Sequence, residues 1–244
     1  LFGASLVACG GGGGESADSD IASVEGAYEG NLSGSLSSLS FQLLVLENGE
    51  YWSIYGNEID GTFYVEGFIQ GSGSANAGTF SSGNARDYSG YDEGIRGSLT
   101  ATYSTSPRRI EGQATSSLGS VQFVGAGISG TGYDYNQPAS LSTIQGPWTL
   151  VNLLGETMSL SVSNNGAFSA SSGGCALSGT VTPRASGKNV FNVDFRFGGS
   201  PCLLPNEAGR GIAVAYPLTN GTTQLLVAAV NGSRAYGTAA FGTR

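Results

Sequence analysis

The dipeptide Asn-Gly occurs four times in this chain, at Asn48-Gly49, Asn165-Gly166, Asn220-Gly221 and Asn231-Gly232, each time between runs rich in β-branched and aromatic residues. Asn-Gly is the strongest short hairpin signal, because the type I′ turn it favours needs positive φ at both central residues. A chain punctuated this way folds into antiparallel strands. No segment offers an amphipathic, capped helix. Residues 10–25 and 127–145 alone lack strand character. The expected fold class is all-β.

The second half divides into eight candidate strands: 148–153, 157–163, 167–171, 176–182, 190–197, 211–217, 223–230 and 234–242. In one of them Val190, Phe191, Val193, Phe195 and Phe197 place apolar residues around Asn192, Asp194 and Arg196. Short connections force neighbouring strands antiparallel, which gives a meander. Eight such strands close into a barrel with no exposed edge. The first half reads similarly, with strands at 26–33, 38–46, 50–56, 62–71, 78–82, 95–104, 109–116 and 120–125, and a long Gly-, Tyr- and acid-rich connection from Ser82 to Gly94. The expected architecture is two antiparallel, mostly up-and-down eight-stranded β-barrels, at 26–126 and 146–244, joined by a linker at 127–145. The second half is long enough to fold alone.

Composition narrows the chemistry. The chain has 10 Lys+Arg against 18 Asp+Glu, a net charge of −8, and no histidine. An acidic balance excludes a nucleic-acid partner, which requires basic surface. Without histidine there is no Ser-His-Asp triad and no His-ligated metal site, and no cofactor is expected. The charge is divided: residues 26–140 carry −7 and residues 141–244 carry +3. An acidic first domain can dock on a mildly basic second one, or steer a basic partner.

Leu6-Val7-Ala8-Cys9 resembles the bacterial lipobox. The resemblance implies that residues 1–8 are the remnant of a signal peptide and that the Cys9 thiol carries a diacylglycerol. Gly10 to Gly14 and the acidic 15–20 segment follow, so residues 9–25 read as a lipidated, flexible tether about 20–24 Å long. Gly10 after the Cys, where Asp would signal retention, implies outer-membrane delivery, on the periplasmic face or the cell surface. The partner is then the membrane itself, through the lipid. Cys175 and Cys202 remain, an even number in an exported chain, and they flank the two ends of one predicted hairpin; they read as a disulfide.

Leu43, Val45, Asn48 and Gly49 match Leu160, Val162, Asn165 and Gly166 at an offset of 117, which suggests an internal repeat. Gly146-Pro147-Trp148 at the head of an eight-stranded meander resembles the first strand of lipocalin- and avidin-type barrels. The whole layout resembles the surface lipoproteins of Gram-negative bacteria, of which the neisserial factor-H-binding and transferrin-binding proteins are examples. The resemblance is one of architecture, and no ligand residue carries over.

Candidate chemistry is sparse. Asp87, Asp92, Glu93 and Asp134 are the carboxylates that a glycosidase pair would draw on, but nothing in their spacing fixes two of them face to face. Aromatic side chains are the better lead. Tyr88 and Tyr91 fall in the long connection, Tyr133 and Tyr135 in the linker, and Trp52 on a strand where it faces opposite to Tyr51 and belongs either to a core or to a site. Three functions follow in order: a non-enzymatic envelope protein binding a partner protein or small ligand through loops, a structural or assembly lipoprotein, and last a carboxylate hydrolase. A deep apolar cavity inside a barrel favours the small ligand; filled barrels with an exposed aromatic patch favour the protein partner.

Overall fold

The computed structural model describes residues 17–90, 92–128 and 132–244. Cys9 and the polyglycine lie outside them, as does Tyr91. The first half comprises β1 (Gly26–Ser33), β2 (Ser40–Val45), β3 (Glu50–Ile59), β4 (Thr62–Ser72), β5 (Ser74–Asn76), β6 (Thr79–Tyr88), β7 (Ile95–Thr105), β8 (Arg108–Ser116) and β9 (Gly119–Gly127). All pairings are antiparallel, in the order β4-β3-β2-β1-β9-β8-β7-β6-β5, and β4 also pairs with β6, which closes eight strands into a ring. The second half comprises β10 (Gly146–Asn152), β11 (Thr157–Val162), β12 (Ala167–Ser172), β13 (Cys175–Pro183), β14 (Phe191–Phe197), β15 (Ala208–Pro217), β16 (Thr223–Asn231) and β17 (Gly237–Thr243). These form a closed meander barrel, β17 returning to β10. Closure removes the edges of the eight ring strands in each barrel; the short β5 pairs only with β6.

The Asn-Gly hairpins form where expected, but not as type I′ turns. Gly49, Gly166 and Gly221 have φ of 76°, 84° and 86°, while Asn48, Asn165 and Asn220 do not enter positive φ. Each is a type I turn followed by a left-handed glycine, the bulged hairpin loop. The Asn side chain explains the choice: its Oδ1 accepts the N–H two residues on, from Glu50, Ala167 and Thr222, at 3.0–3.1 Å. At the fourth site Arg234, not the glycine, takes the left-handed position, with φ 58°.

Two segments depart from expectation. Residues Ala17–Val24, expected as free tether, form a short helix, α1. Ile21 and Val24 pack it into the interior of the first barrel, and that tertiary contact stabilises a helix too short to hold alone. The Ser82–Gly94 connection is largely strand, because β6 continues to Tyr88 past a bulge between Ser82 and Ala85. A second short helix, α2 (Leu141–Ile144), enters the other barrel in the same way as α1.

The two barrels share a construction. In the first, Val24, Gly26 and Tyr28 follow one another as Ile144, Gly146 and Trp148 do in the second. Tyr28 donates its hydroxyl to the Val24 carbonyl at 2.6 Å, and Trp148 donates Nε1–H to the Ile144 carbonyl at 2.7 Å. An arginine covers each ring: Arg108 at 5.8 Å over Tyr28 and Arg244 at 4.0 Å over Trp148. Arg108 and Arg244 also donate to the carbonyls of Glu25 and Thr143. The register repeats too. Gly26 pairs with Val45 and Tyr28 with Leu43, as Gly146 pairs with Val162 and Trp148 with Leu160. Each barrel is thus plugged at the end where its first strand begins.

The outer faces of the barrels meet in an apolar seam. Trp52, Ile54, Phe63, Val65 and Phe68 from β3 and β4 pack in one buried cluster with Ile212, Val214, Leu226, Val230 and Phe241 from β15, β16 and β17. Gln224, 2% exposed, reaches across like a strand residue: its Oε1 accepts Phe63 N–H at 3.1 Å and its Nε2 donates to Phe63 O at 2.7 Å. Arg234 donates to Gln70 Oε1, Gln70 O and Asn84 O, while its own carbonyl accepts from Arg86 and the Tyr88 hydroxyl. Three ion pairs join acids of the first half to bases of the second: Glu47–Arg184, Glu25–Lys188 and Glu50–Arg210, at 2.9, 2.9 and 3.1 Å. The charge division in the sequence is therefore realised as docking. Burial pushes the Glu47 carboxyl up, but hydrogen bonds from Arg184 outweigh it and hold the group below the ordinary carboxylate range.

Candidate functional site

The plugs leave one end of each barrel open, and a cavity lies behind each opening. That of the second barrel is about 80 Å³ and its accessible lining is entirely apolar. Leu150, Leu160, Val162, Phe168, Val181 and Val193 form its walls, and Ile144 from α2 closes its floor. Small side chains keep the space: Ala170, Ala213, Ala229 and Ala240 point inward from four strands. A void this size in a densely packed interior forfeits dispersion contacts, so its lining is held open at a cost to stability.

Above it lies a mouth of about 220 Å³, lined by Leu153, Leu154, Leu203, Leu204 and Phe197 together with Asn152, Glu156, Ser172 and Asn231. Met158, Leu177, Phe195 and Ala229 line both spaces, so interior and mouth adjoin. Two asparagines, each 7% exposed, brace the rim. Asn152 Oδ1 accepts the N–H groups of Leu154 and Glu156, and its Nδ2 donates to Glu156 Oε2 at 3.1 Å. Asn231 Oδ1 accepts Tyr236 N–H, and its Nδ2 donates to Glu207 Oε2 at 2.9 Å. The disulfide joins Cys175 to Cys202 as the sequence implied, with 4.5 Å between the Cα atoms. It fastens the 198–207 loop to the mouth, and that loop carries Leu203, 64% exposed.

The aromatic candidates go elsewhere. Tyr88 is 1% exposed, stacks on Phe68 at 4.7 Å and lies on β6 instead of in a loop. Trp52 is 2% exposed and also stacks with Phe68, at 6.0 Å. Tyr133 and Tyr135, expected on the surface of a linker, are 4% and 7% exposed. Tyr133 packs on Tyr216 at 4.3 Å, and Tyr135 donates to Glu25 beneath Lys188. The physical reason is common to all four: the barrels dock face to face, and these rings fill the seam. They are structural side chains, which corrects their reading as a binding surface. Tyr91 lies outside the described residues; its neighbour Gly90 lines the second barrel's mouth.

The carboxylates do not assemble. Asp92 and Glu93 are exposed. Asp134 is exposed and closes its own turn, accepting Asn136 N–H at 2.9 Å and Gln137 Nε2 at 3.3 Å. Asp87 points into the first barrel, where it accepts the Tyr55 hydroxyl at 2.8 Å. The apolar residues of the second cavity were individually visible as strand residues in the sequence. Their convergence was not, because it depends on which parity of each strand turns inward.

Fold and cavity together define the class: a tandem β-barrel protein with a small apolar cavity inside its second barrel. No protein-family model matches the chain, and no curated protein matches it by sequence. Among solved structures it is similar to transferrin-binding protein B of Haemophilus parasuis, at 8% identity and a TM-score of 0.28 over 89% of this chain. It spans 63% of that protein's length. It is also similar to a protein of unknown function from the DUF3598 family of Nostoc punctiforme, at 12% identity and a TM-score of 0.28, over 94% of this chain and 98% of that one.

Proposed function

We propose that this chain is a non-enzymatic, lipid-anchored protein of a bacterial cell envelope that takes up a small apolar ligand in its second barrel. The observation that carries the reading is the apolar cavity, plugged at one end by α2 and adjoining a rim-braced mouth at the other. The alternative of a partner protein held through aromatic loops is disfavoured, because Trp52, Tyr88, Tyr133 and Tyr135 are buried in the seam. The anchor rests on the resemblance of Leu6-Val7-Ala8-Cys9 to a lipobox; labelled palmitate should enter the protein made with a complete signal peptide and be lost in Cys9→Ser.

The ligand reading is tested with a homologous series of n-alkanols, followed by amide shifts of residues lining the cavity. Each added CH₂ should tighten binding about fourfold, the equivalent of about 0.8 kcal/mol, until the chain fills the interior. An affinity independent of chain length, or shifts confined to the outer surface, would remove the basis of the proposal.

A further inference from the structure

The first barrel holds a cavity of a different character. It is about 90 Å³ and lies at the end away from α1. Leu32 and Leu36 overhang it, Phe41, Leu43, Leu99 and Phe123 form its sides, and exposed Ser98 and Gly119 bring it to the surface. One ionisable acid faces it, Asp87, and no Lys or Arg lines it among the described residues.

The surroundings of Asp87 are built. Its carboxylate accepts the Tyr55 hydroxyl at 2.8 Å, the phenol reaching from β3 over the intervening β4. Gly67, the register partner of Tyr55 on β4, makes that placement possible: a Cβ there would sit 2.2 Å from the Tyr55 hydroxyl oxygen. The bulge at Tyr55/Gly56 falls at the same point and aims the ring. Ser53, two residues earlier on β3, adds a hydroxyl to the lining. The flanking Arg86 and Arg96, register partners on β6 and β7, belong to the opposite strand parity from Asp87, and Arg86 is engaged by the Arg234 carbonyl. Burial pushes the Asp87 carboxyl up, partly offset by the Tyr55 hydrogen bond, and Glu66 adds a second negative charge near Tyr55.

A half-buried carboxylate that faces a largely apolar cavity with no fixed counter-charge favours a proton or a cation beside it. We propose that the first-barrel cavity is a second binding site, for a small organic ammonium ion, with Asp87 pairing the charge, Tyr55 orienting the carboxylate and the Leu and Phe side chains holding the alkyl part. Its volume suits a chain of a few carbons. This site is separate from the apolar cavity of the second barrel, so either can fail without the other.

The test uses n-butylamine, n-butanol and butyrate, matched in length, on the full chain at neutral pH, read by amide shifts at Leu99, Ala114 and Val121. The amine should bind at least tenfold tighter than the other two. Asp87→Asn keeps an acceptor for Tyr55 and should abolish that preference, leaving amine and alcohol equal. Tyr55→Phe should weaken the amine several-fold while retaining the preference. In the wild type, saturating amine should lower the Asp87 pKa followed by carboxyl ¹³C shifts, a readout independent of whether either variant folds. Preferential binding of butyrate, an amine preference that survives Asp87→Asn, or an Asp87 titration unmoved by amine would overturn the assignment.

Discussion

Filling the second cavity should make the protein more stable and less able to bind. Ala170 sits on β12 between Leu160 and Leu177 in register, with its methyl group on the cavity wall. Core cavities cost roughly 24 cal/mol per Å³, so a void of about 80 Å³ corresponds to roughly 2 kcal/mol. Ala170→Val adds two carbons in a β-branched shape suited to a strand and fills part of that space. The expected gain is about 1 kcal/mol, seen in urea denaturation as a higher midpoint at unchanged slope. The same variant should bind n-alkanols more weakly and reach its plateau about two carbons earlier. A stabilised variant with an unaltered alkanol series would place the alkanols outside the barrel. A variant destabilised by 1–3 kcal/mol, the usual penalty of overpacking, would mean that the interior is already full.

Arg234→Ala should destabilise by roughly 2–4 kcal/mol in the same assay, since it removes charge-assisted bonds to Gln70 and Asn84 and leaves a buried carbonyl unpaired. Replacing both Cys175 and Cys202 with Ser should cost about 3–4 kcal/mol for a loop of 27 residues, and should raise amide exchange in the 198–207 loop. Glu47 carries a lowered pKa in the folded state, so its share of stability is present above the ordinary carboxylate range and is lost as pH falls through the folded value. Glu47→Gln should therefore flatten the acid limb of a stability profile and change little once the pH lies below the folded value. Residues 141–244 expressed alone should give a β-type circular dichroism spectrum but self-associate in sedimentation, because Ile212, Val214, Leu226, Val230 and Phe241 lose their cover; a stable monomer would show that the seam is dispensable.

The second barrel was legible in the sequence nearly strand for strand, because each hairpin ends at a turn whose chemistry is local. The disulfide followed from the same hairpins. In the first barrel the alternation breaks at Gly83-Asn84, where β6 bulges, and that break hid the rest of the strand and with it the burial of Tyr88. The helix at Ala17–Val24 has only Ile21 and Val24 as apolar anchors and exists through its docking on the barrel. The seam did leave a trace. Gly211-Ile212-Ala213-Val214-Ala215-Tyr216 and Leu225-Leu226-Val227-Ala228-Ala229-Val230 are apolar on both parities, the pattern of strands covered on both faces, whereas β11 and β13 alternate. Read with the opposite charges of the two halves, those runs locate the docking face.

The repeat explains how one architecture supports two different interiors. Docking covers the outer faces of β3, β4, β15, β16 and β17, and the plugs occupy one end of each barrel, so the concave surface left is at the two open ends. There the register makes positions comparable. Tyr51, Ser53 and Tyr55 face Val45, Leu43 and Phe41 on β2, as Phe168, Ala170 and Ser172 face Val162, Leu160 and Met158 on β11. In the first barrel all three carry hydroxyls: Tyr51 bonds Ser82 at 3.1 Å and Tyr55 bonds Asp87. In the second the two inner positions are stripped to carbon, and the hydroxyl that remains, on Ser172, lies at the rim and donates to Glu156 at 3.1 Å. Barrel closure fixes the backbone and the plug, so such exchanges alter the lining of an interior without disturbing what holds it together. The polarity of the inward parity of β3 and β12 is thus where the two interiors differ.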